Sequence, residues 1–494
     1  MHDSDDIPQP TSEAGEQPHL LSNVKTGTQP VRQASAYEHL SPEDSTFIYA
    51  ESDTNIMQIG GVMIFEDTGT SYRDICAQIE SRLHYLPLFR KKLMTVPFDQ
   101  GRPVWVDDDK FDIRFHVRRT GLPYEGGRAE LRDLTARLMS NPLDRSRPLW
   151  EIWLVDMPGD ERGLIYKVHH SVVDGVSGIE TLTVLLDATP ETPPAAEAPE
   201  WKPDPAPSAT QLFGNSVREQ FSLGRRLWNV ASAAAASPQS AIESISEVGR
   251  GLRSYVDDVI GGTPKTSLRV KIGSSRRFET AEVAYSDVKH IKDHLGVKIN
   301  DVLLALTAGG ISNLLQGRDE PIDGIELQAV VPVSVRDGND HATSGNKVSS
   351  MFARLPLGVK DPAERLRRIG AWMDRQKESG ETRAVESLMD LSEWIPAGIV
   401  SLATRVGMVE LAGLTNLIIT NVPGPPFPLY FHGGELIEGY PYFPPTGKMS
   451  VAVAIVSYNG KFEFGISGDW NAVPDLALVS EGIEKATAEL LGAL

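Results

Sequence analysis

Residues 148–170 have the sequence PLWEIWLVDMPGDERGLIYKVHH, which predicts a β-hairpin. Two apolar runs, 150–157 and 164–170, flank a polar segment whose Pro and Gly are typical of a tight turn. In an antiparallel pair, the beginning of one strand lies beside the end of the next. We therefore expect Pro148-Leu149-Trp150 to lie next to His169-His170.

Strands and helices are mixed on both sides of this hairpin, so the pattern predicts an α+β (mixed α/β) fold with two domains. Periodicity predicts helices at 73–86 and 300–316, the second ending at Gly317. Alternation predicts strands at 113–118, 326–336, 347–357 and 415–422, and a second hairpin at 450–458 and 461–467 that turns at Asn459-Gly460.

Composition divides the chain into four parts. Residues 1–35 are rich in Asp, Glu, Gln, Pro and Ser, which predicts a disordered tail. We expect an N-terminal domain over 36–187, a Pro- and Ala-rich linker with connecting helices over 188–265, and a C-terminal domain over 266–494. The helix expected at 209–234 carries aromatic and basic residues, so it is either an interdomain helix or a helix that lies on a membrane surface.

The charge and the cysteine count exclude several classes of protein. The formal net charge is −19, whereas proteins that bind nucleic acid carry basic surfaces. The single cysteine, Cys76, excludes an internal disulfide and a cysteine-based zinc cluster. We see no secretory signal and no apolar run near the roughly 18 residues that span a bilayer, so we expect a cytoplasmic protein.

The motif that carries chemistry is His169-His170-Ser171-Val172-Val173-Asp174-Gly175. A metal site is disfavoured because consecutive residues at a strand end point to opposite faces. Two core histidines beside a turn would be a purely structural alternative. A nucleophilic Ser171 is also disfavoured, because we find no Gly-x-Ser-x-Gly elbow and no evident base geometry beside it.

A histidine general base for direct acyl transfer fits this motif best. The unperturbed imidazole pKa of about 6.5 suits proton transfer near neutral pH, and one of the two rings should face the cleft. Asp174-Gly175 should form a tight turn in which Asp174 holds the loop.

Several segments, taken in order, resemble the bacterial wax ester synthase/acyl-CoA:diacylglycerol acyltransferase family from about residue 36 onward. Besides the histidine motif, they are Leu40-Ser41-Pro42 with Gly60-Gly61, and residues 142–151, 300–303, 331–336, 345–348, 361–366 and 421–425. Each segment alone is modest evidence for the resemblance, but the order and spacing of all the segments together are very specific for this family.

The resemblance implies two chloramphenicol-acetyltransferase-like domains with mixed sheets around a shared substrate tunnel. It implies His170 as the base, with His169 and Asp174 in the same motif. Other family motifs proposed to bind substrate or shape the site fall on Gly175, Pro148, Leu149, Trp150, Asn300, Asp301 and Asn421. Asn300 is either a polar helper at the site or the N-cap of its helix.

The resemblance further implies long-chain acyl-CoA as donor, with diacylglycerol or a long-chain alcohol as acceptor, giving triacylglycerol or wax ester. No metal and no bound cofactor is expected. Lipophilic substrates favour peripheral contact with the inner membrane face or lipid droplets. Two alternatives stay open, a carrier-protein-dependent acyltransferase or condensation enzyme, and a non-catalytic lipid-binding or droplet-associated protein.

Overall fold

In the computed structural model, the predicted hairpin forms two central strands of a six-stranded sheet. The structure describes residues 37–97, 101–123, 125–173, 181–182, 184–192, 199–218, 264–334, 348–378 and 415–494, and every structural statement below concerns these residues. The predictions for the tail, for Asp174-Gly175 and for helices beyond residue 218 in the linker lie outside them.

The described strands and helices are interspersed along the chain. The strands are β1 (Glu38–His39), β2 (Gln58–Glu66), β3 (Lys91–Met94), β4 (Val104–Asp107), β5 (Val117–Gly121), β6 (Trp150–Asp156), β7 (Glu161–His169), β8 (Arg276–Ala284), β9 (Glu326–Ser334), β10 (Val348–Pro356), β11 (Leu417–Pro423), β12 (Tyr430–Phe431), β13 (Gly434–Tyr442), β14 (Val451–Tyr458) and β15 (Lys461–Asp469). The helices are α1 (Pro42–Ala50), α2 (Tyr72–Arg82), α3 (Ile113–His116), α4 (Arg128–Met139), α5 (Tyr285–Leu295), α6 (Ile299–Gly317), α7 (Pro362–Glu378) and α8 (Ala477–Gly492).

Two six-stranded sheets organise the two domains. The first has the order β12-β13-β2-β7-β6-β5, and the second has the order β10-β9-β11-β14-β15-β8. Each contains parallel and antiparallel pairs: β5 runs parallel to β6, and β11 runs parallel to both β9 and β14. The predicted α+β fold with two domains and mixed sheets is confirmed. A small sheet, β1-β4-β3, lies in the N-terminal half of the chain.

One strand connects the two halves of the chain. β13 follows β11 in sequence but pairs antiparallel with β2 in the first sheet. It also packs closely on β15 of the second sheet, where a Cβ added at Gly465 would lie 1.6 Å from the carbonyl oxygen of Pro441. Only glycine permits this approach. β13 was absent from the sequence prediction, because Gly439 and Pro441 interrupt its apolar alternation.

Each sheet is covered by apolar side chains. The second sheet packs against α6, α7 and α8, with a large buried cluster that includes Leu306, Phe464 and Ile483. On one face of the first sheet, Trp150 and Tyr166 pack with side chains of α2. On its other face, residues of α4 pack with Tyr442 and with Phe278 of β8. The first sheet therefore has a buried layer on both faces, and both layers include residues from the second half of the chain.

The strand predicted at 113–118 is wrong in its first part, because Ile113–His116 forms the short helix α3. Asp112 caps this turn by accepting the backbone N–H of Arg114 at 3.0 Å. Ile113 and His116, three residues apart, are the buried pair. A single helical turn is too short to show a helical period in the sequence.

The other predicted elements are found with shifts of a few residues at their ends. α6 ends with Gly317 as its last helical residue, one position later than predicted, and its C-cap is Arg318. The second hairpin turns at Asn459 and Gly460, which have φ angles of 41° and 86°. Among the described helices, none alone is long and apolar enough to cross a membrane. α5 and α6 together pass that test by length and composition, with a bend of 108° between them.

Candidate active site

The strand register brings the two histidines to the segment that precedes β6. The backbone N–H of His169 donates to the carbonyl oxygen of Leu149 at 2.9 Å. The N–H of His170 donates to the carbonyl oxygen of Met57, just before β2, also at 2.9 Å. The predicted proximity of residues 148–150 to the histidine pair is therefore confirmed.

The side chains of the two histidines have different surroundings. His169 is 1% exposed, and its ring faces the carboxylate of Glu51. His170 is half-buried and stacks on Phe47 of α1, with ring centroids 3.9 Å apart and planes 14° apart. Phe443, which follows β13, meets the His170 ring edge-on at 6.0 Å. His170 is thus the more accessible imidazole, and it lies between rings from both halves of the chain.

The hydrogen bonds of His169 define its tautomer. Its Nδ1 accepts the backbone N–H of Ser171 at 3.1 Å and lies 2.8 Å from the Ser171 hydroxyl. A backbone N–H can only donate, so the neutral ring carries its proton on Nε2. The sequence indicated no evident base geometry beside Ser171, whereas the structure places Nδ1 of His169 next to its hydroxyl. Ser171 is nonetheless 2% exposed, so its short contact with His169 stabilises the turn and does not form an accessible nucleophile.

The proton on Nε2 of His169 points to the ion pair of Glu51 with Arg145. Oε1 of Glu51 lies 3.5 Å from this nitrogen, a long polar contact. Oε2 of Glu51 accepts from Nε of Arg145 at 3.0 Å. Burial alone would raise the pKa of Glu51, but hydrogen bonding and charge from His169 and Arg145 outweigh burial and lower it to about 2. Glu51 is therefore ionised near neutral pH beside the histidine turn.

Four residues around the histidines were missed by the sequence analysis: Phe47, Glu51, Arg145 and Phe443. Arg145 falls in segment 142–151, which carries part of the family resemblance, and this was the one available signal. Glu51 ends an ordinary polar helix, and Phe443 is far away in the sequence. No local pattern distinguishes either residue from a surface carboxylate or a core aromatic.

The predicted residues Pro148, Leu149 and Trp150 are all buried. Trp150 donates from Nε1 to the carbonyl oxygen of Phe89 at 2.8 Å and stacks on His116 at 4.5 Å. Its side chain therefore belongs to the core beneath the site. Leu149 acts through its backbone carbonyl, which holds His169.

Three other predicted site residues lie in the second domain. Asn300 is the second residue of α6 and is half-buried. The alternative role of Asn300 as an N-cap is wrong, because Lys298 is the cap and donates its backbone N–H to the Asp301 carboxylate at 3.0 Å. Asn421 is half-buried on β11, in register with Ile455 of β14. Roles for Asn300 and Asn421 in substrate binding stay predictions.

The rest of the motif, Asp174 and Gly175, lies outside the described residues, so their predicted roles stay predictions. Within the described ranges, no group of three or more His, Cys, Asp or Glu side chains could hold a metal ion. The site that can be described is therefore one half-exposed imidazole between two aromatic rings, beside a second imidazole fixed by an ion pair. Such an arrangement can accept and return a proton.

Comparisons with known proteins show the family of this chain. Residues 40–303 match the wax ester synthase/diacylglycerol acyltransferase catalytic domain, and residues 344–491 match the WS/DGAT C-terminal domain. The chain is 31% identical over 468 residues to the Mycobacterium tuberculosis protein named "probable diacylglycerol O-acyltransferase tgs2", covering 91% of this chain and 98% of that protein.

Two solved structures are similar along almost the whole chain. One is the wax ester synthase/diacylglycerol acyltransferase from Marinobacter aquaeolei VT8, with a TM-score of 0.65, 25% identity, and coverage of 92% of this chain and 99% of that one. The other is the first condensation domain of the CDA synthetase, with a TM-score of 0.55, 12% identity, and coverage of 93% and 97%. The second similarity concerns the fold alone.

Proposed function

This chain belongs to the wax ester synthase/diacylglycerol acyltransferase family, and we propose that His170 is the general base of its acyl transfer. The protein is an O-acyltransferase that esterifies diacylglycerol or an alcohol. The observation that carries the proposal is the contrast between the two histidines. His169 is enclosed and bonded through Nδ1, whereas His170 is half-exposed between Phe47 and Phe443.

In the proposed reaction, His170 takes the proton of the acceptor hydroxyl while that oxygen attacks the thioester carbonyl carbon. The new ester C–O bond forms, the C–S bond breaks, and His170 returns the proton to the departing thiolate of CoA. General-base help of this kind contributes about 10² to 10⁴-fold. Most of the remaining acceleration must come from holding donor and acceptor together and from stabilising the oxyanion.

We further propose long-chain acyl-CoA as the donor and either diacylglycerol or a long-chain alcohol as the acceptor, held in a tunnel between the domains. Both acceptors partition into lipid, so the enzyme should work at the inner membrane face or at a lipid-droplet surface. The helix at 209–218 is a candidate for this contact: Leu212 packs on the small sheet, while Phe213 on the same helix is exposed. Loss of liposome flotation after Phe213→Ser would support the membrane contact, and unchanged flotation would contradict it.

The general-base proposal is tested with purified enzyme, radiolabelled palmitoyl-CoA, and either dioleoylglycerol or hexadecanol. We expect His170→Ala to lower kcat by about 10² to 10⁴-fold with either acceptor. His290→Ala, an exposed histidine on α5, is the matched control and should behave as wild type. Thermal unfolding of each variant separates loss of chemistry from loss of fold.

Chemical rescue makes the test sharper. The space left by His170→Gly lies between the rings of Phe47 and Phe443, which could hold a free imidazole. Added imidazole should restore turnover to this variant and should not accelerate the wild type. Full activity of folded His170→Ala would refute the general-base role. Ester formation only from a carrier-bound acyl group would support a carrier-dependent enzyme instead.

A further inference from the structure

The last turn of α1 and the residue that follows it contact both histidines. Phe47 stacks on the ring of His170, and Glu51, one helical turn later, faces the ring of His169. Glu51 is the C-cap of α1 and donates its own backbone N–H to the Phe47 carbonyl oxygen at 3.2 Å. A displacement of Glu51 would therefore move the aromatic partner of His170 as well.

The two carboxylate oxygens of Glu51 have separate partners. Oε2 accepts from Nε and Nη2 of Arg145, which also donates from Nη2 to the carbonyl oxygen of Ile48. Oε1 accepts the backbone N–H of Met57 at 3.4 Å and lies 3.5 Å from Nε2 of His169. One side chain thus joins α1, the start of β2 and the histidine turn.

This connection continues to the proposed base. Met57, held by Glu51 through its N–H, accepts the backbone N–H of His170 through its carbonyl oxygen. Phe47 therefore fixes the ring of His170, and Met57 fixes its backbone. Glu51 is hydrogen-bonded to the backbone of Phe47 and to the backbone of Met57.

Arg145 gives the buried carboxylate its counter-charge. The Glu51 side chain is 10% exposed, and an isolated carboxylate at that depth would be costly. The guanidinium of Arg145 is 42% exposed, so it reaches inward from the surface and also bonds a carbonyl at the C-terminal end of α1. A cation at the C-terminal end of a helix is favourable for the helix dipole.

We propose that Glu51, held by Arg145, is a positioning residue for the acyl transfer, which fixes the histidine turn and the stacking partner of His170. This inference rests on the proposed role of His170 as the base. Glu51 does not touch the reacting atoms, so its loss should lower kcat and leave the KM for acyl-CoA nearly unchanged. A misplacement of a catalytic group by about 1 Å can cost about 10²-fold in rate.

The chain offers a matched control for this ion pair. Asp67 and Arg162 form another ion pair, at 2.9 Å, across the opposite end of the same two strands, β2 and β7. Arg162 lies eight positions before His170, which corresponds to roughly 26 Å along a strand. Glu51–Arg145 connects the end of α1 with the segment before β6, whereas Asp67–Arg162 connects the end of β2 with β7. Only the first pair contacts the histidine turn.

The experiment compares Glu51→Gln, Arg145→Met, their double variant and Asp67→Asn in the full-length enzyme. We expect kcat to fall by about 10 to 100-fold in Glu51→Gln and Arg145→Met, with KM for palmitoyl-CoA changed by less than about 3-fold. The double variant should be no slower than the slower single variant, because the two residues act as a unit. Arg145→Lys should be intermediate, since it keeps the charge without the forked geometry.

Thermal unfolding distinguishes positioning from general stabilisation. Asp67→Asn should lower the unfolding temperature while the kcat of the folded enzyme stays at the wild-type value. If Glu51→Gln behaves in the same way, Glu51 is only structural and the inference is overturned, while a slow His170→Ala keeps the proposed function. If His170→Ala is itself fully active, the proposed function fails and this inference fails with it.

Discussion

The carboxyl group of Glu463 should make the stability of this enzyme fall as the pH rises. Glu463 lies on β15 of the second sheet and is fully buried. Its Oε1 accepts the backbone N–H of Gly439 on β13 at 3.0 Å, and its Oε2 is buried without a hydrogen-bond partner. Lys461, whose charge acts to lower the pKa of Glu463, is already bonded to Glu282 at 2.8 Å. Little at this position therefore offsets the free-energy cost of burying an ionised carboxylate.

The size of this pH effect on stability follows from the difference between the pKa of Glu463 in the folded protein and in the unfolded chain. Burial raises the pKa of Glu463 from 4.5 to about 8. The hydrogen bond from the N–H of Gly439 acts to lower this pKa, but its effect is smaller than that of burial. The folded protein thus holds this proton more tightly than the unfolded chain does. Its contribution to stability is fully present below about pH 4.5 and is lost as the pH rises through about 8. At about 1.4 kcal/mol per pKa unit the loss is at most ~5 kcal/mol, and relaxation of the site should reduce it to ~2–3 kcal/mol.

The substitution Glu463→Gln tests this directly, because the amide has nearly the shape of the protonated acid and cannot ionise. Urea unfolding of both proteins at pH 5, 7 and 8.5 should give similar midpoints at pH 5. At pH 8.5 the variant should be more stable by about 2–3 kcal/mol. Other titrating groups are common to both proteins, so they cancel in the difference.

Glu481→Gln provides the control, since Glu481 is an exposed carboxylate on α8. The difference in unfolding free energy between this variant and wild type should not grow between pH 5 and 8.5. A constant difference between Glu463→Gln and wild type over this range would refute the reasoning. It would mean that the buried carboxyl does not change its protonation state between pH 5 and 8.5.

Three further substitutions test the packing around the site. Gly465→Ala should destabilise by more than about 4 kcal/mol or abolish soluble expression, because its Cβ would overlap the carbonyl oxygen of Pro441. Trp150→Phe should lower the unfolding free energy in urea by about 1–3 kcal/mol, since the buried carbonyl oxygen of Phe89 loses its 2.8 Å donor. Burial lowers the pKa of Lys167 to about 8, so wild-type stability should rise between pH 8 and 10.5, and Lys167→Met should remove that rise.

Each of these three predictions would be contradicted by one specific result. Gly214→Ala, where an added Cβ meets nothing within 4 Å, should be neutral or slightly stabilising, and equal behaviour of the two glycine variants would contradict the steric argument. An unchanged urea midpoint in Trp150→Phe would show that the carbonyl of Phe89 finds another donor. Parallel stability curves for Lys167→Met and wild type above pH 8 would show that Lys167 keeps its proton in the folded protein.

The sequence predicted those parts of the fold that depend on local pattern. The hairpin at 450–467 was predicted because Asn459-Gly460 suits a tight turn that needs positive φ angles. The hairpin at 150–169 was predicted in the same way, and its antiparallel register then placed Leu149 beside His169. The prediction failed at Ile113–His116, where one capped turn gave the same apolar spacing as a short strand.

The candidate site could be predicted only in part. The motif identified His170 and His169, and consecutive side chains that point in opposite directions give the two rings different surroundings. The sequence had no means of showing that Glu51 and Arg145 would pair beside His169, because the two lie 94 positions apart. It also could not show that Phe443 would meet His170, since that contact depends on β13 joining the first sheet.

The sequence by itself determined the class of fold, the central hairpin, the family and the histidine that carries the proposed chemistry. The fold class and the hairpin follow from periodicity and turn chemistry, whereas the family and the choice of His170 follow from a family resemblance carried by the order and spacing of short motifs. Only the tertiary structure decided that His170 is the more accessible histidine, that Glu51 is a buried anion, and that Glu463 lies between the two sheets. Burial and pairing depend on which distant segments pack together, and such packing leaves no periodic signal in the chain.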